Sequence, residues 1–434
     1  MRNIVALVLL LAVTVAGHIQ AAIRAGTVKA RGVNLGSWLV IERFMMASSP
    51  IFHQISEAKR DAGEHIIVES LGRMTADPLF QAHRSNWITE ADIEEIAYYG
   101  LNTVRVPVGW WIYEDPNSTE WQHFSPGGIA FLDRLVNEWA PRHNVAVLVD
   151  LHAAKGSQNG DAHSAPPVLG EMHFTDSEAN LNATMETAAF LMRRYKDSEA
   201  FLGLEMLNEP MNRQARSTST DRIKLKSYYT RLYTTLRNIC ADCVVVLSPL
   251  SDEQWASFGH EWATVLPAAG NNWLDWHKYL LWGFEDWDVS AIMNRGTQSI
   301  ATDVSDWQAS FATPIFLGEW SLAHSEKVAG ALRDRNQLEQ YAKRALQAMD
   351  TAKAGWTYWS WKTDRTSGNY QMGSSFYGDT WNMQSLLRSG VMSINGRPAP
   401  NSYREPWTYS AANAHASPWR WLVAASTLVL LRYL

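Results

Sequence analysis

Two glutamates each follow an apolar run of strand length, and their side chains could share one chemical task. Glu209 comes after Phe201–Leu207, and Glu319 comes after Pro314–Leu317. In a parallel α/β barrel the ends of such strands meet at one mouth, where active sites lie. Two carboxyl groups at one mouth are the minimal machinery for cleaving a glycosidic bond. The pair therefore predicts a sugar-hydrolysing enzyme.

The elements that must position this pair alternate regularly along the chain. Strand candidates occur at Lys29–Leu39, Thr103–Gly109, Asn144–Ala153, Phe201–Leu207, Cys243–Ser248, Trp273–Leu281, Pro314–Glu319 and Gly355–Trp361. Helical apolar spacing predicts helices between most of them, at 89–99 behind a Thr89 N-cap and at Ile129–Trp139, Asn182–Tyr195, Ser219–Asn238 and Arg335–Ala352. Eight strands alternating with helices predict an α/β fold, a closed (β/α)8 TIM barrel in a single domain.

Side-chain alternation along these strands gathers polar and aromatic residues at one end of the barrel. The inward-facing set comprises Arg105, Asp150, His152, Glu205, Glu209, Asp275, His277, Tyr279, Trp359 and Trp361. Because barrel interiors are normally filled by bulky aliphatic side chains, this concentration indicates a ligand site. Asp150 and Glu205 lie one step deeper, and we expect them to be paired inside the barrel because a lone buried carboxylate is costly.

Several motifs occur in one order along the chain and can be named together. They are RGVNLGSWLVIE at 31–42, NTVRVPVGW at 102–110, DLH at 150–152 with GSQNG at 156–160, NEP at 208–210, HKY at 277–279, GEW at 318–320 and GWTYWSWK at 355–362. The set resembles the fungal-type exo-β-1,3-glucanase branch of glycoside hydrolase family 5. The resemblance extends from about residue 31 to about residue 390, nearly the whole chain.

The resemblance implies a role for each matching residue. Glu209 would be the general acid/base, and Glu319 the nucleophile that forms a glycosyl-enzyme intermediate. Asn208 would bond the sugar 2-hydroxyl. Arg105 and Tyr279 would hold Glu319 ionised, since a cation and a donated hydrogen bond both favour the charged form.

The same resemblance implies further substrate contacts. His152 and His277 would bind sugar hydroxyls or tune the acid/base glutamate, Trp359 would be the stacking floor, and Glu42 would accept a hydroxyl in the innermost subsite. The peptide bond after Trp359 is expected to be cis. Trp361 lies near a predicted strand end, like Trp110 and Trp282, and aromatic rings there can stack on the apolar face of a sugar.

The retaining reaction requires two carboxyl groups in different environments. A retaining mechanism needs one protonated and one charged carboxyl group about 5–5.5 Å apart. We expect the glutamate beside Arg105 to be the charged one and the other to lie in a less cationic setting, which would drive their pKa values apart.

One loop departs from the family pattern. It reads Ala153-Ala154-Lys155-Gly156 where relatives commonly have Gly-Ala-Pro-Gly, and Asp161-Ala162-His163 where relatives usually place an aromatic residue first. One wall of the outer subsites is therefore expected to differ, which leaves the preferred linkage and the choice between chain-end and internal cleavage open.

The two chain ends predict processing. An apolar run from Ile4 to Ala16 followed by small residues predicts a signal peptide at 1–21, with a membrane anchor as the alternative; the run is shorter than the roughly 20 residues that a bilayer requires. The hydrolase domain would then span 22–409. Small residues, a spacer and an apolar tail at 410–434 predict a GPI-type lipid-anchor signal, with a secreted chain ending in an apolar segment or a weak membrane tail as alternatives.

Composition restricts the partners. A formal charge of −6 without long single-sign runs argues against a nucleic-acid partner. No His/Cys/Asp cluster has metal-ligand spacing and no phosphate-binding glycine loop occurs, so no cofactor and no metal are expected. The only cysteines, Cys240 and Cys243, predict a short local disulfide or two unreactive thiols rather than a redox or zinc site.

The sequence as a whole predicts a secreted, lipid-anchored, monomeric retaining hydrolase that takes β-1,3-glucan as its polysaccharide substrate and releases glucose from chain ends. One alternative keeps the mechanism but changes the substrate to β-1,6-glucan, another β-glucan or a glucosylated lipid. The other alternative is a non-catalytic glucan-binding protein of the cell wall.

Overall fold

The computed structural model describes residues 17–211, 219–364 and 380–397 and forms a closed parallel barrel in which each strand pairs with the next in sequence and the last pairs with the first. The strands are β1 Ala30–Asn34, β2 Thr103–Gly109, β3 Ala146–Ala153, β4 Phe201–Glu205, β5 Val244–Leu247, β6 Asn272–Lys278, β7 Ile315–Trp320 and β8 Gly355–Tyr358. This confirms the predicted (β/α)8 fold. Nearly every strand residue is buried, because helices cover the outer face and side chains fill the interior.

Helices surround the barrel and occupy the connections. In chain order they are α1 Ile19–Arg24, α2 Glu57–Arg60, α3 Glu64–Leu71, α4 Arg73–Trp87, α5 Glu90–Tyr98, α6 Gly128–Arg134, α7 Ala140–Arg142, α8 Glu178–Tyr195, α9 Ser219–Ile239, α10 Gly259–Trp262, α11 Val289–Ala291, α12 Thr297–Ser310, α13 Glu326–Leu332, α14 Arg335–Met349 and α15 Met383–Arg388. Turns of π-helix at Leu135–Trp139 and Ile292–Gly296 join α6 to α7 and α11 to α12. The predicted cap of α5 is present as a capping box between Thr89 and Asp92.

Several strands end earlier than their sequence pattern predicts. β1 stops at Asn34 rather than Leu39, and β8 stops at Tyr358 rather than Trp361. Buried side chains continue beyond the ends of both strands. The apolar sequence pattern therefore reflects burial and not hydrogen bonding between neighbouring strands. These extensions are the loops that carry the functional side chains at the carboxyl ends of the strands.

The lower half of the barrel, at the amino ends of the strands, is filled by apolar side chains, and we call this set the lower layer. It consists of Ala30, Ala146, Leu148, Leu202, Val244, Val246, Trp273, Phe316 and Ala354, with Ile23 of α1 packed against it. The guanidinium of Arg24 donates to the carbonyl oxygens of Phe201 and Leu202 at 2.6 and 3.2 Å. α1 therefore closes this end of the barrel. The predicted signal-peptide boundary after residue 21 lies inside this helix.

Cys240 and Cys243 form a disulfide between α9 and β5, with Cα atoms 5.6 Å apart. The first of the two alternatives for the cysteine pair is therefore the one that the structure contains. The bond closes a short loop at the same end of the barrel as α1, where Arg24 also contacts the Cys243 sulfur at 3.3 Å.

The predicted terminal signals fall largely outside the described residues. This applies to the apolar run up to residue 16 and to the lipid-anchor signal at 410–434. Among the residues that the structure describes, none of the helices is both long and apolar enough to cross a membrane.

Candidate active site

Arg105 of β2 is the centre of the upper half of the barrel. Its Nε donates to Glu205 at 2.7 Å and one terminal nitrogen pairs with Asp150 at 3.1 Å, while Asp275 lies 4.0 Å away. All four side chains are completely buried, and we call them the charged layer. The expectation that Asp150 and Glu205 are paired inside the barrel is confirmed. Burial alone would lower the pKa of Arg105, but the facing carboxylates raise it well above the ordinary value, so the group stays charged.

Glu319 lies at the end of β7 and rests on this charged layer. Its Oε1 accepts a hydrogen bond from Arg105 at 3.0 Å, and its Oε2 accepts one from the Tyr279 hydroxyl at 2.8 Å. Burial and the nearby carboxylates raise the pKa of Tyr279 well above its ordinary value, so that hydroxyl keeps its proton and remains a donor. Each oxygen of Glu319 therefore has a hydrogen-bond donor, and the two contacts fix the orientation of its carboxyl group.

Glu209 reaches the mouth by a different route from the one predicted. β4 ends at Glu205, so strand alternation does not carry through to residue 209. Instead the Asn208 N–H donates to Leu151 O at 3.1 Å, and Glu209 adopts a left-handed backbone with φ of 38°. A non-glycine residue in this region is held there by its surroundings and is typical of functional sites. Glu209 therefore lies at the mouth as expected, but a turn places it there and strand alternation does not.

Both glutamates lie close to the same histidine, His277. His277 Nδ1 lies 2.6 Å from Glu209 Oε1 and 3.5 Å from Glu319 Oε2. An oxygen of Glu209, an oxygen of Glu319 and a ring nitrogen of His277 all lie within 4.8 Å of one another. That separation fits a retaining pair of carboxyl groups and is too short for the inverting geometry, which needs about 6.5–9.5 Å.

The structure corrects the prediction that Glu209 would lie in the less cationic environment of the two glutamates. Burial opposes its ionisation, but the charge and hydrogen bond of His277, together with the charge of His163, outweigh this effect and lower its pKa to about 2. Burial likewise disfavours the His277 cation, yet Glu319, Asp275 and Glu209 together raise the pKa of His277 well above its ordinary value. The transferable proton therefore belongs to the Glu209–His277 pair, and the directions of both pKa shifts favour the ion pair of a carboxylate and an imidazolium.

Asn208 presents a free donor beside this pair. Its Oδ1 accepts from Arg105 at 2.9 Å, which fixes the orientation of the amide. Its buried Nδ2 has no hydrogen-bond partner among the residues that the structure describes. An unsatisfied buried donor is costly unless a ligand satisfies it, so the predicted contact to a sugar hydroxyl is chemically consistent with this placement.

His152 and Trp359 form the deep wall of the mouth. Their rings stack with centroids 5.5 Å apart and planes inclined by 8°, and His152 Nδ1 contacts Asp150 at 2.6 Å. Burial lowers the pKa of His152, so a neutral ring faces the mouth. The peptide bond between Trp359 and Ser360 is cis, as the resemblance implies.

Glu42 lies in the loop after β1 and faces both glutamates. Burial raises its pKa to about 8, opposed by the charge of His163 and reinforced by Glu319 and Glu209. Its carboxyl group is therefore neutral near pH 7 and can donate as well as accept a hydrogen bond from a sugar hydroxyl. The position agrees with the prediction, and the protonation state adds a donor that the sequence did not indicate.

The prediction that Trp361 binds substrate is wrong. Because β8 ends at Tyr358, the alternation that placed this indole in the mouth no longer holds. Trp361 is completely buried behind the barrel, and its Nε1 donates to Asp92 of α5 at 2.9 Å. Its role is packing between the strand end and that helix.

Sequence reasoning missed several side chains of the mouth. His163 lies 3.8 Å from Glu209 Oε2, and Asn34 accepts from Arg105 at 2.9 Å. The unusual Asp161-Ala162-His163 segment was the only signal for the first, and Asn34 lay unremarked in the opening motif. Trp381 and Phe44, with centroids 5.8 Å apart, come from irregular segments that no periodicity marks.

Trp381 connects Phe44 to the residues beside the nucleophile and completes an aromatic wall. Its ring centroid lies 5.6 Å from Tyr279 and 6.3 Å from Trp282. Trp282 is 47% exposed, which is unusual for an indole in such a cluster. Rings arranged this way offer apolar faces to a saccharide that extends out of the mouth.

Within the described residues, two groups of the site could also hold a metal ion. These are Glu209 with His277 and Glu319, and Glu205 with Asp275 and His277. In each group one carboxylate contacts the His277 ring directly, Glu209 at 2.6 Å in the first and Asp275 at 3.1 Å in the second. The arrangement fits proton transfer between these groups.

Comparison with known proteins identifies the family of the chain. The sequence model of the family described as Cellulase (glycosyl hydrolase family 5) matches residues 71–365. A glucan endo-1,6-beta-glucosidase B from Emericella nidulans is 28% identical over 381 residues, covering 84% of this chain and 85% of that protein. A glucan 1,3-beta-glucosidase from Kluyveromyces lactis is 29% identical over 419 residues, covering 86% of this chain and 91% of that protein.

A solved structure shares the fold. The crystal structure of rutinosidase from Aspergillus niger superimposes with a TM-score of 0.68 at 19% identity and covers 84% of this chain and 98% of its own. At this identity the likeness shows the common barrel and no more.

Proposed function

Because this chain belongs to glycosyl hydrolase family 5 and is therefore a glycoside hydrolase, we propose that it is a retaining β-glucan hydrolase acting on β-1,3 linkages. It cleaves from chain ends and releases glucose, with Glu209 as acid/base and Glu319 as nucleophile. The observation that carries the proposal is the approach of the two carboxyl groups to within 4.8 Å beside one histidine.

In the first step Glu319 attacks the anomeric carbon. Its lone pair forms the bond to carbon while the bond from carbon to the glycosidic oxygen breaks, and the electrons of that bond go to the departing oxygen. Glu209 supplies the proton to that oxygen, drawn from the pair it forms with His277 at 2.6 Å. Arg105 and Tyr279 each donate to one oxygen of Glu319 and hold the nucleophile in position for the attack.

In the second step water replaces the departed saccharide. Glu209 takes a proton from the water, the water oxygen bonds to the anomeric carbon, and the bond to Glu319 breaks. Two inversions give net retention of configuration. The free Nδ2 of Asn208 donates to the sugar 2-hydroxyl in both transition states, where that bond is strongest.

The substrate class rests on the relatives and on the aromatic wall. Relatives carry the names glucan 1,3-beta-glucosidase and glucan endo-1,6-beta-glucosidase B. Trp282, Trp381 and Tyr279 offer stacking faces to the sugar units beyond the scissile bond. β-1,6-glucan is the second candidate, since the Emericella nidulans relative matches over a similar length.

A panel of linear β-1,3-, β-1,6- and mixed-linkage glucans tests the proposal. Glucose alone from the β-1,3-glucan, released first as the β-anomer in NMR, is the expected result. A ladder of oligosaccharides would reject chain-end cleavage, preference for the β-1,6-glucan would favour the second candidate, and the α-anomer would overturn the retaining mechanism.

Secretion and a lipid anchor remain part of the proposal because of the sequence at both ends. Expression of the full chain in a eukaryotic host, followed by phosphatidylinositol-specific phospholipase C, tests both. Release of activity from the cell surface is expected. Activity that stays with the cells after treatment, or that appears in the medium without it, contradicts the anchor.

A further inference from the structure

His163 is a titratable side chain at the mouth that the double-displacement steps do not use. It lies in the turn Ala162–Ser164 that follows the loop after β3. Its Nε2 is 3.8 Å from Glu209 Oε2, whereas His277 contacts the other oxygen, Oε1, at 2.6 Å. The two oxygens of the proposed acid/base therefore face different histidines.

The surroundings of His163 favour two protonation states that compete. Asn159 Nδ2 lies 2.8 Å from Nε2, and the Asn159 amide is oriented by Nδ2 donating to Glu209 O and by Oδ1 accepting from Asp161 N. An Nε2 that accepts from this amide is unprotonated, so the Asn159 contact favours the neutral ring.

The charged groups around the ring favour the other state. Burial disfavours the cation, but Asp161 and Glu209, with smaller contributions from Glu42 where its carboxyl group is ionised and from Glu319, outweigh burial and raise the pKa of His163 above its ordinary value. Asp161 comes from the same loop, Glu209 and Glu42 come from the segments after β4 and β1, and Glu319 comes from the end of β7. His152 of β3 adds a neighbouring ring with its centroid 5.2 Å away.

We infer that His163 is a positioning residue that acts through Glu209. In its cationic form it is the second partner of this carboxylate and pairs with Oε2, the oxygen that would protonate the departing saccharide. The inference rests on the proposed function and deepens it. When Glu209 is an anion, protonated His163 pairs with Oε2. When Glu209 takes up a proton from His277, His163 releases its own proton to solvent, and the neutral ring accepts from Asn159 instead. The ring thereby makes Glu209 a stronger acid.

Two measurements on the full chain test this coupling. The first follows the ring Cε1–H signals of 13C-labelled histidines against pH, with the His163 signal assigned by its loss in His163→Gln. Glu209→Gln removes a negative charge next to the ring, so the pKa of His163 should fall by about one unit. His173, an exposed residue bonded to Glu171 and Asp176, provides an internal control that should not move.

The second measurement compares the pH profiles of kcat/KM for the unaltered enzyme, His163→Gln and the control His173→Gln. Loss of a cation strengthens proton binding by the remaining groups, so the basic limb should move upward by about half to one unit in His163→Gln alone. A weaker acid should also slow cleavage of glucan by about three- to tenfold, but scarcely affect a dinitrophenyl glucoside, whose departing group needs no proton.

The NMR and kinetic measurements distinguish failure of the His163 inference from failure of the proposed function. A His163 pKa that changes by less than about 0.2 units in Glu209→Gln overturns the inference, because the Coulomb interaction would then be absent. An unchanged basic limb, or an equal loss on both substrates, also overturns it. The NMR arm needs no turnover, so an inactive unaltered enzyme would reject the proposed function and leave the NMR arm to decide the role of His163.

Discussion

The lower layer and the charged layer divide one barrel interior into two regions of opposite chemistry. β3 passes through both, with Leu148 in the lower layer, Asp150 in the charged layer and His152 at the mouth. The lower layer gains stability from apolar burial, at about 1.5–3 kcal/mol for each large side chain. The charged layer must offset the desolvation of several ions by pairing and hydrogen bonding. Along β3, a side chain that stabilises the barrel and a side chain of the charged layer are thus only two positions apart.

The largest expected effect is on the chemistry above the charged layer. Glu319→Ala removes the attacking group, and we expect kcat on glucan to fall by about 10⁴-fold or more while glucan binding persists. Initial rates and a glucan pull-down measure the two. Exposed Glu326→Ala is the control, and activity of Glu319→Ala near that of the control would remove the basis for the proposed roles.

Breaking the charged layer itself should cost stability as well as activity. Arg105→Met leaves Glu205 and Asp150 buried without their cation, and the free energy of unfolding should drop by about 3–5 kcal/mol. Urea unfolding followed by tryptophan fluorescence measures it. A loss under about 1 kcal/mol would mean that the layer does not depend on this ion pairing.

Breaking the lower layer should cost stability alone. Leu148→Ala leaves a cavity among apolar neighbours, and unfolding should become easier by about 2–5 kcal/mol. At temperatures where the variant stays folded, kcat should equal that of the unaltered enzyme. A change in kcat comparable with that of Arg105→Met would show that the two layers are not separable.

The smallest effect concerns the pH dependence of stability. The pKa of Glu42 is raised to about 8 by burial, so between its ordinary value of 4.5 and 8 the unfolded chain is ionised and the folded chain is not. The folded state then binds more protons, and stability falls as pH rises through this window. Glu42→Gln should narrow the difference in melting temperature between pH 5 and about pH 8. An unchanged difference would contradict the raised pKa.

Much of the barrel was predictable because burial leaves a direct trace in the sequence. β2 was located at both ends, and the chain position of each of the other strands was correct, since parallel strands are apolar throughout. α3 and α4 were missed. Their segment mixes charged residues with Pro78, which normally reads as a helix break although α4 runs through it.

The site was predictable where strands deliver side chains and less so where loops do. Arg105 and Glu319 lie within strands, and their contact follows from strand ends meeting at one mouth. Glu209 depends on a left-handed turn, and Trp361 lies beyond the last paired residue of β8, so strand alternation accounts for the placement of neither residue. His163 depends on a loop whose conformation no periodicity encodes.

The helix that closes the lower end of the barrel bears on where the proposed signal peptide would be removed. Ile19 and Ile23 both pack on the lower layer, and Ala21 and Ala22 lie between them in α1. Cleavage by a leader peptidase between Ala21 and Ala22 would remove Ile19 and the first half of α1, whereas cleavage before Ile19 would keep the whole helix. We therefore expect the processed polypeptide to begin at or before Ile19, which Edman sequencing of the purified enzyme would reveal.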